Sequence, residues 1–263
     1  MIGRSPAGTK RLPPLPSFIV IGAQKSATRW LRLNLGRLPD VFVAGHEIKY
    51  FNHASRVDAL GTEWYRSQFT GWSGEPVVGE ATPGYMMLGH GPADVAERIA
   101  ATVPQVRLIA LLRNPVDRTV SAFVHHQRQH RIHPCAGVLP TVRSCRPEDD
   151  WMGLVAGGWY AASLEPFIDR FGEQLLVLVH DDIALDAREV FGRAVRHVGA
   201  APDVVPDALD EVVFSNRGAH RTVPQISASE RCELFEYFRA DVERLERLLG
   251  RDLSRWRPDA STS

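Results

Sequence analysis

Lys25, Ser26, Thr28 and Arg29 lie in a turn of mostly small residues, Gly22-Ala23-Gln24-Lys25-Ser26-Ala27-Thr28-Arg29. The turn joins the apolar run Phe18-Ile19-Val20-Ile21 to a helical pattern opening at Trp30-Leu31. Strand, turn and helix in that order leave the first N–H groups of the helix unpaired, so an anion placed there meets both their dipoles and the Lys25 ammonium. The chemistry implied is binding of a phosphorylated ligand. A nucleotide-triphosphate loop, G-x-x-x-x-G-K-[ST], would need glycine, lysine and a hydroxyl residue at positions 27, 28 and 29. Ala27, Thr28 and Arg29 stand there instead, and Arg29 takes the place of the magnesium-binding hydroxyl. That departure argues against ATP or GTP hydrolysis.

A second constellation follows the apolar run 106–112: Arg113-Asn114-Pro115-Val116-Asp117-Arg118-Thr119-Val120-Ser121. Asn114 suits an N-cap and Pro115 the first helical position. Arg113 at the strand end and Ser121 two turns into the helix could together hold another phosphate, through charge-assisted bonds and a hydroxyl contact. Two separated phosphate sites imply a ligand phosphorylated at two places.

Both constellations need a scaffold that delivers strand ends to one edge. Strand-like runs at 17–22, 76–79, 106–112 and 175–180 alternate with helical patterns near 28–37, 92–102, 115–130, 151–171, 186–199 and 227–249. The alternation predicts an α/β fold of three layers, a central parallel sheet flanked by helices, with a P-loop-like first turn and binding loops at the C-terminal strand ends. Segment 131–150 reads as a polar, irregular insertion suited to a lid or substrate loop. In the pattern 227–249, Leu234, Phe235, Phe238, Val242, Leu245 and Leu248-Leu249 recur at helical spacing, which suits core packing first and a homodimer stripe second.

The 263 residues, 44% hydrophobic, are enough for one substantial core, and the expected organisation is a disordered leader over 1–16 followed by one domain over 17–263. Thirty-one basic residues balance 31 acidic ones, so overall charge points to neither nucleic acid nor an anionic membrane surface as partner. No stretch approaches the ~18 apolar residues of a membrane span, and Met1–Ser17, with four prolines, lacks an apolar signal core. Three cysteines, Cys135, Cys145 and Cys232, form no closed disulfide set and no metal spacing, which suits a cytoplasmic location. His125, His126, His130 and His133 cluster near a helix end, and His126 and His130 have the i, i+4 spacing of a metal pair, but no H-E-x-x-H motif accompanies them. We therefore expect no metal.

The ordered set of motifs resembles sulfotransferases that use 3′-phosphoadenosine 5′-phosphosulfate (PAPS), and in particular the heparan sulfate branch and its bacterial relatives. The first loop is similar to the family's 5′-phosphosulfate loop and Arg113 to Ser121 to its 3′-phosphate motif. Further similar pieces are Glu47-Ile48-Lys49-Tyr50-Phe51-Asn52, Gly79-Glu80-Ala81-Thr82-Pro83-Gly84-Tyr85, Gly158-Trp159-Tyr160 with Leu175 to Asp182, and Asn216-Arg217-Gly218. The resemblance implies donor contacts from Lys25, Ser26, Ala27, Thr28, Arg29 and Trp30 at the first loop, from Arg113 and Ser121 at the second, and from Arg217 and Gly218. Arg217 stands where the heparan enzymes have lysine.

Sulfuryl transfer to a hydroxyl needs a base and positive charge at the departing oxygen. The resemblance gives Lys25 the second role and Glu47 the first, with Lys49 beside the reaction centre. His46 and Glu80 remain alternative bases, and Glu80 could instead orient Lys25 or Arg29 by a salt bridge. Ala81 replaces a lysine of the polysaccharide enzymes, which counts against a heparan-like acceptor; the compact size, the absence of a membrane-length stretch and of a long basic stripe favour a small diffusible acceptor over a polyanionic polymer, with glycolipid and saccharide hydroxyls still open. Two rival readings stay alongside: a nucleotide-dependent kinase with a degenerate phosphate loop, and a non-catalytic nucleotide- or carbohydrate-binding module.

Overall fold

Side chains that alternate along the strands divide between two faces of one sheet, and each face has its own helical cover. The computed structural model describes residues 12–146, 149–201, 209 and 224–258. Five parallel strands lie in the order β2-β3-β1-β4-β5: β1 Phe18–Gly22, β2 Val41–Val43, β3 Val77–Ala81, β4 Arg107–Leu112 and β5 Leu175–Val179. Phe18, Val20, Ile109, Leu111 and Leu178 face one side, packed under α1 (Thr28–Leu35) and α7 (His180–Val198). Ile19, Ile21, Leu108, Ala110 and Leu112 face the other, under α3 (Pro92–Thr102), α4 (Pro115–Arg128) and α6 (Tyr160–Phe171). The expected three-layer α/β architecture is therefore the one observed.

The adjacent strands β1 and β4 send their following helices, α1 and α4, to opposite faces of the sheet. Neighbouring parallel strands with helices on opposite faces open a crevice at their C-terminal ends, the place where such sheets bind ligands. Asn114 caps α4, its Oδ1 accepting from the N–H of Val116 at 3.0 Å and of Asp117 at 3.5 Å, with Pro115 in the first turn. In the register, Phe18 pairs with Gly79, and a Cβ at Gly79 would overlap the Phe18 ring. The glycine is what lets β1 and β3 lie side by side beneath the binding edge.

Several elements differ from the sequence reading. β2 has only three residues, too few to register as an apolar run. Helix α2 (Ala54–Ser67) carries one fully buried residue, Tyr65, and Gly61 at φ 66° interrupts it, so its apolar period is weak. The pattern at 151–171 becomes a helix only from Tyr160. Before it, the Asp150 carboxylate accepts from the N–H groups of Leu154, Val155 and Ala156 at 2.7–2.8 Å and holds that stretch as a turn. The segment 131–150 is not irregular throughout: α5 (Val138–Ser144) buries Val138, Leu139 and Val142.

The pattern at 227–249 is two helices, α8 (Ala228–Glu236) and α9 (Arg239–Leu249). Leu234, Phe235, Phe238, Val242 and Leu245 are wholly buried within the chain and give the core-packing part of the stripe, while Leu248 and Leu249 are partly buried against the same core. The three cysteines are free thiols. Residues 1–11 of the expected leader lie outside the described residues, and among the described residues no helix is long and apolar enough to cross a membrane.

Gly79→Ala forces a methyl group into the Phe18 ring, and overpacking of this kind destabilises by about 1–3 kcal/mol. A lowered denaturation midpoint with an unchanged slope in urea is the expected outcome.

Candidate active site

The loop from β1 to α1 places Lys25 and Ala27 in the left-handed region, at φ 71° and 67°, a conformation that non-glycine residues adopt sparingly and that winds the chain tightly at the strand end. Ala27 occupies the N-cap position of α1 and has no side chain to offer, and the first turn holds no acidic residue. The leading N–H groups of α1 and the positive end of its dipole are left for an external anion. Ser26 is buried, and its N–H donates to the Ala23 carbonyl at 3.2 Å. The Trp30 indole turns into the core, donating to the Leu209 carbonyl at 3.1 Å and meeting Phe191 edge-on, so its contribution to the loop is limited to backbone.

Lys25 is the electrostatic centre of the crevice. Burial first, then Arg128, Arg113 and Arg118, push its pKa below the ordinary lysine value. Among the described residues no carboxylate forms an ion pair with Lys25, Arg29, Arg113 or Arg128. Arg113 donates from Nη1 to the Lys25 carbonyl at 3.5 Å, which ties the two constellations together across β1 and β4. The Arg113 carbonyl in turn accepts from the Tyr160 hydroxyl at 2.9 Å. Ser121 is half-buried, one turn beyond the fully buried Arg118, whose guanidinium is anchored on the carbonyls of Gly153 and Leu154. Arg217 and Gly218 lie outside the described residues.

Glu47 and the first turn of α1 line one hollow, together with Arg29, Arg32 and Ala81; His46 and Pro83 close its edge. The Glu47 carboxylate is 47% exposed and pairs with the Lys49 ammonium at 3.5 Å. Arg32 donates to the carbonyls of Ala44 and Gly45, which brings its charge beside Glu47. Ala81 is almost fully buried, and its small side chain keeps the hollow open.

Glu80 is elsewhere: it has no exposed surface, and its carboxylate accepts from the hydroxyls of Tyr65 at 2.6 Å, Thr82 at 2.7 Å and Tyr85 at 2.9 Å. It makes no ion pair with Lys25 or Arg29, and its buried position excludes direct contact with an acceptor hydroxyl.

Comparison with known proteins gives the family. Residues 15–251 match the sequence profile of the Sulfotransferase domain. The chain belongs to the sulfotransferase family. It is 35% identical over 147 residues to the membrane-associated sulfotransferase kil1 of Dictyostelium discoideum, covering 48% of this chain and 29% of that protein. It is 30% identical over 182 residues to the mouse heparan sulfate glucosamine 3-O-sulfotransferase 3B1, covering 66% and 43% respectively. The chain thus spans less than half the length of these curated relatives. A sulfotransferase from Alicyclobacillus acidocaldarius superposes with a TM-score of 0.74 at 27% identity, over 92% of this chain and 98% of that one. A mouse sulfotransferase complexed with PAP shares the fold at 13% identity and a TM-score of 0.55, over 90% and 88%.

Within the sulfotransferase domain, the sequence reading passed over His125 and Arg128 as contributors to the crevice. Arg128 acts electrostatically on Lys25, and Lys25 acts on His125; the signal was their spacing of seven and four residues from Ser121, which puts all three on one helix face. His126 is not part of that face. It is buried and engages the Met152 carbonyl at 3.0 Å. Among the described residues no group of three His, Cys, Asp or Glu could hold a metal ion.

Burial, with Lys25 as the next cause, lowers the His125 pKa to about 4. The neutral imidazole is therefore the folded-state form at pH 7, and the stability this gives is complete above the unfolded value near 6.5 and lost as pH falls through about 4. An NMR titration of the imidazole is expected to find a midpoint near 4 in the free protein. An anion bound at Lys25 offsets the positive charge and moves that midpoint upward.

Proposed function

We propose that this chain transfers a sulfuryl group from PAPS to an acceptor hydroxyl, releasing adenosine 3′,5′-bisphosphate (PAP). The observation that carries the reading is the hollow that joins the uncapped first turn of α1 to Glu47, with Lys25 at the neighbouring strand end free of any carboxylate ion pair among the described residues and Arg113 beside it. In this reaction the acceptor O–H gives its proton to Glu47, the acceptor oxygen forms a bond to sulfur, and the bond from sulfur to the bridging phosphate oxygen breaks. Negative charge then grows on the departing phosphate, where Lys25 and the α1 N–H groups meet it. Arg113 and Ser121 hold the 3′-phosphate, which sets the donor's register along the crevice. Lys49, paired with Glu47 in the free protein, is close enough to the same centre to steady the transferring group.

Glu47 is half exposed before substrates arrive, and an acceptor closing the hollow removes water from it and strengthens it as a base. His46 shares the hollow and is the second candidate for this role. The acceptor is a small-molecule or glycoconjugate hydroxyl. Ala81 withdraws one positive charge from the acceptor side, which favours a small diffusible molecule, while the heparan sulfate relative supports a saccharide. A cytoplasmic location is part of the same reading, supported by the three free thiols. Arg29, in place of a magnesium-binding hydroxyl, disfavours the kinase alternative.

Transfer of labelled sulfate from PAPS to 4-nitrophenol and to a heparosan oligosaccharide tests the reading. Glu47→Ala is expected to lower turnover by about 10²–10⁴-fold with PAP affinity retained. Lys25→Ala is expected to lower it by about 10²–10³-fold. Full turnover in Glu47→Ala would refute the base assignment.

A further inference from the structure

Two consecutive backbone N–H groups, those of Lys49 and Tyr50, end on one buried assembly. The Lys49 N–H donates to Thr82 Oγ1 at 3.3 Å and the Tyr50 N–H to the Tyr85 hydroxyl at 3.1 Å. Those two hydroxyls, with that of Tyr65, donate onward to Glu80 at 2.6–2.9 Å. Every proton points the same way. A backbone N–H can only donate, so Thr82 and Tyr85 must accept from the arm and pass their own protons to Glu80, which as a carboxylate accepts them all. Tyr65 also stacks on Tyr50 at 4.6 Å with the rings 7° apart, gripping the same arm from its side chain. Lys49 sits at φ 57°, a left-handed bend that these bonds hold in place.

We propose that Glu80 is a positioning residue for sulfuryl transfer, fixing through Thr82 and Tyr85 the backbone of the arm that carries Glu47 and Lys49 to the reaction centre. The proposal rests on the reading of Glu47 as the base. Glu80 itself touches neither donor nor acceptor. Its carboxylate replaces the water that would otherwise solvate those N–H groups, and its acceptor-only character selects one direction for the whole set of bonds. Glutamine is not a neutral exchange here, since its NH₂ brings donors to an oxygen position that already receives donors.

The test compares Glu80→Gln and Tyr85→Phe, the latter deleting only the hydroxyl between Glu80 and the Tyr50 N–H, so that one variant remains if the other fails to fold. Amide hydrogen exchange, which needs no acceptor, is expected to quicken at 48–50 by about tenfold or more with exchange in β1 and β4 unchanged. PAP affinity should stay at the wild-type value. Turnover with the acceptor panel should fall by about 10–100-fold. The same substitution placed in Glu47→Ala should produce a much smaller further loss, since only Lys49 then remains to be misplaced, a result that a general structural defect would not give.

Unchanged exchange at 48–50, unchanged turnover, a parallel fall in PAP affinity, or an equal further loss in the Glu47→Ala background would each overturn the proposal. Full turnover in Glu47→Ala alone would instead refute the base reading, while faster exchange and slower transfer in Tyr85→Phe would still support the arm's positioning, with Lys49 as the group it delivers.

Discussion

A half-buried lysine ammonium beside three arginines, with no carboxylate within ion-pairing distance among the described residues, is unfavourable in the free protein, and much of this molecule is arranged around that condition. The left-handed residues at 25 and 27 put Lys25 at the mouth of the crevice, β4 delivers Arg113 beside it, and α4 directs Ser121, His125 and Arg128 along one face toward it. Each of these adds positive charge or a hydrogen-bond donor. The like charges cannot relieve one another, so an incoming polyanion supplies what the fold withholds. The depressed pKa values of Lys25 and His125 are two expressions of the same crowding.

Two carboxylates near this charge differ in surroundings and therefore in use. Glu47 stands half exposed in the hollow with Lys49 and Arg32 near it, accessible to a hydroxyl and adjustable by desolvation. Glu80, wholly buried, takes three donated hydroxyl protons and, among the described residues, no cation. Burial raises the pKa of its carboxyl, and the hydrogen bonds from Tyr65, Thr82 and Tyr85 offset only part of that rise. An exposed carboxylate suits proton transfer, while a buried one surrounded by donors suits holding a backbone in place.

What could be read from the sequence was what depends on neighbours in the chain. The loop at 22–29, the Arg113-to-Ser121 motif and the Asn114 cap are local, and each occupies the element expected of it. β2 and α2 were hidden, since a three-residue strand has no usable period and α2 buries only Tyr65 around the break at Gly61. The role of Glu80 was hidden for a related reason. Its partners come from α2, from the turn after β3 and from the arm at 48–50, and only the tertiary fold brings Tyr65 to Thr82 and Tyr85. The buried indole of Trp30 likewise follows from the face α1 presents to α7, which a motif cannot specify. Arg217 and Gly218 belong to the part of the chain outside the described residues.

The central claim is that the unneutralised charge around Lys25 is a site for a ligand carrying phosphate at both the 3′ and 5′ positions. Thermal unfolding of the purified protein with PAP, compared with AMP and with ATP plus magnesium, tests it most directly, because a ligand bound only by the folded state raises the midpoint by mass action. The account requires a concentration-dependent rise with PAP, a smaller one with AMP, which lacks the 3′-phosphate, and none specific to ATP with magnesium. A rise with ATP and magnesium alone, or no rise with PAP, would contradict it.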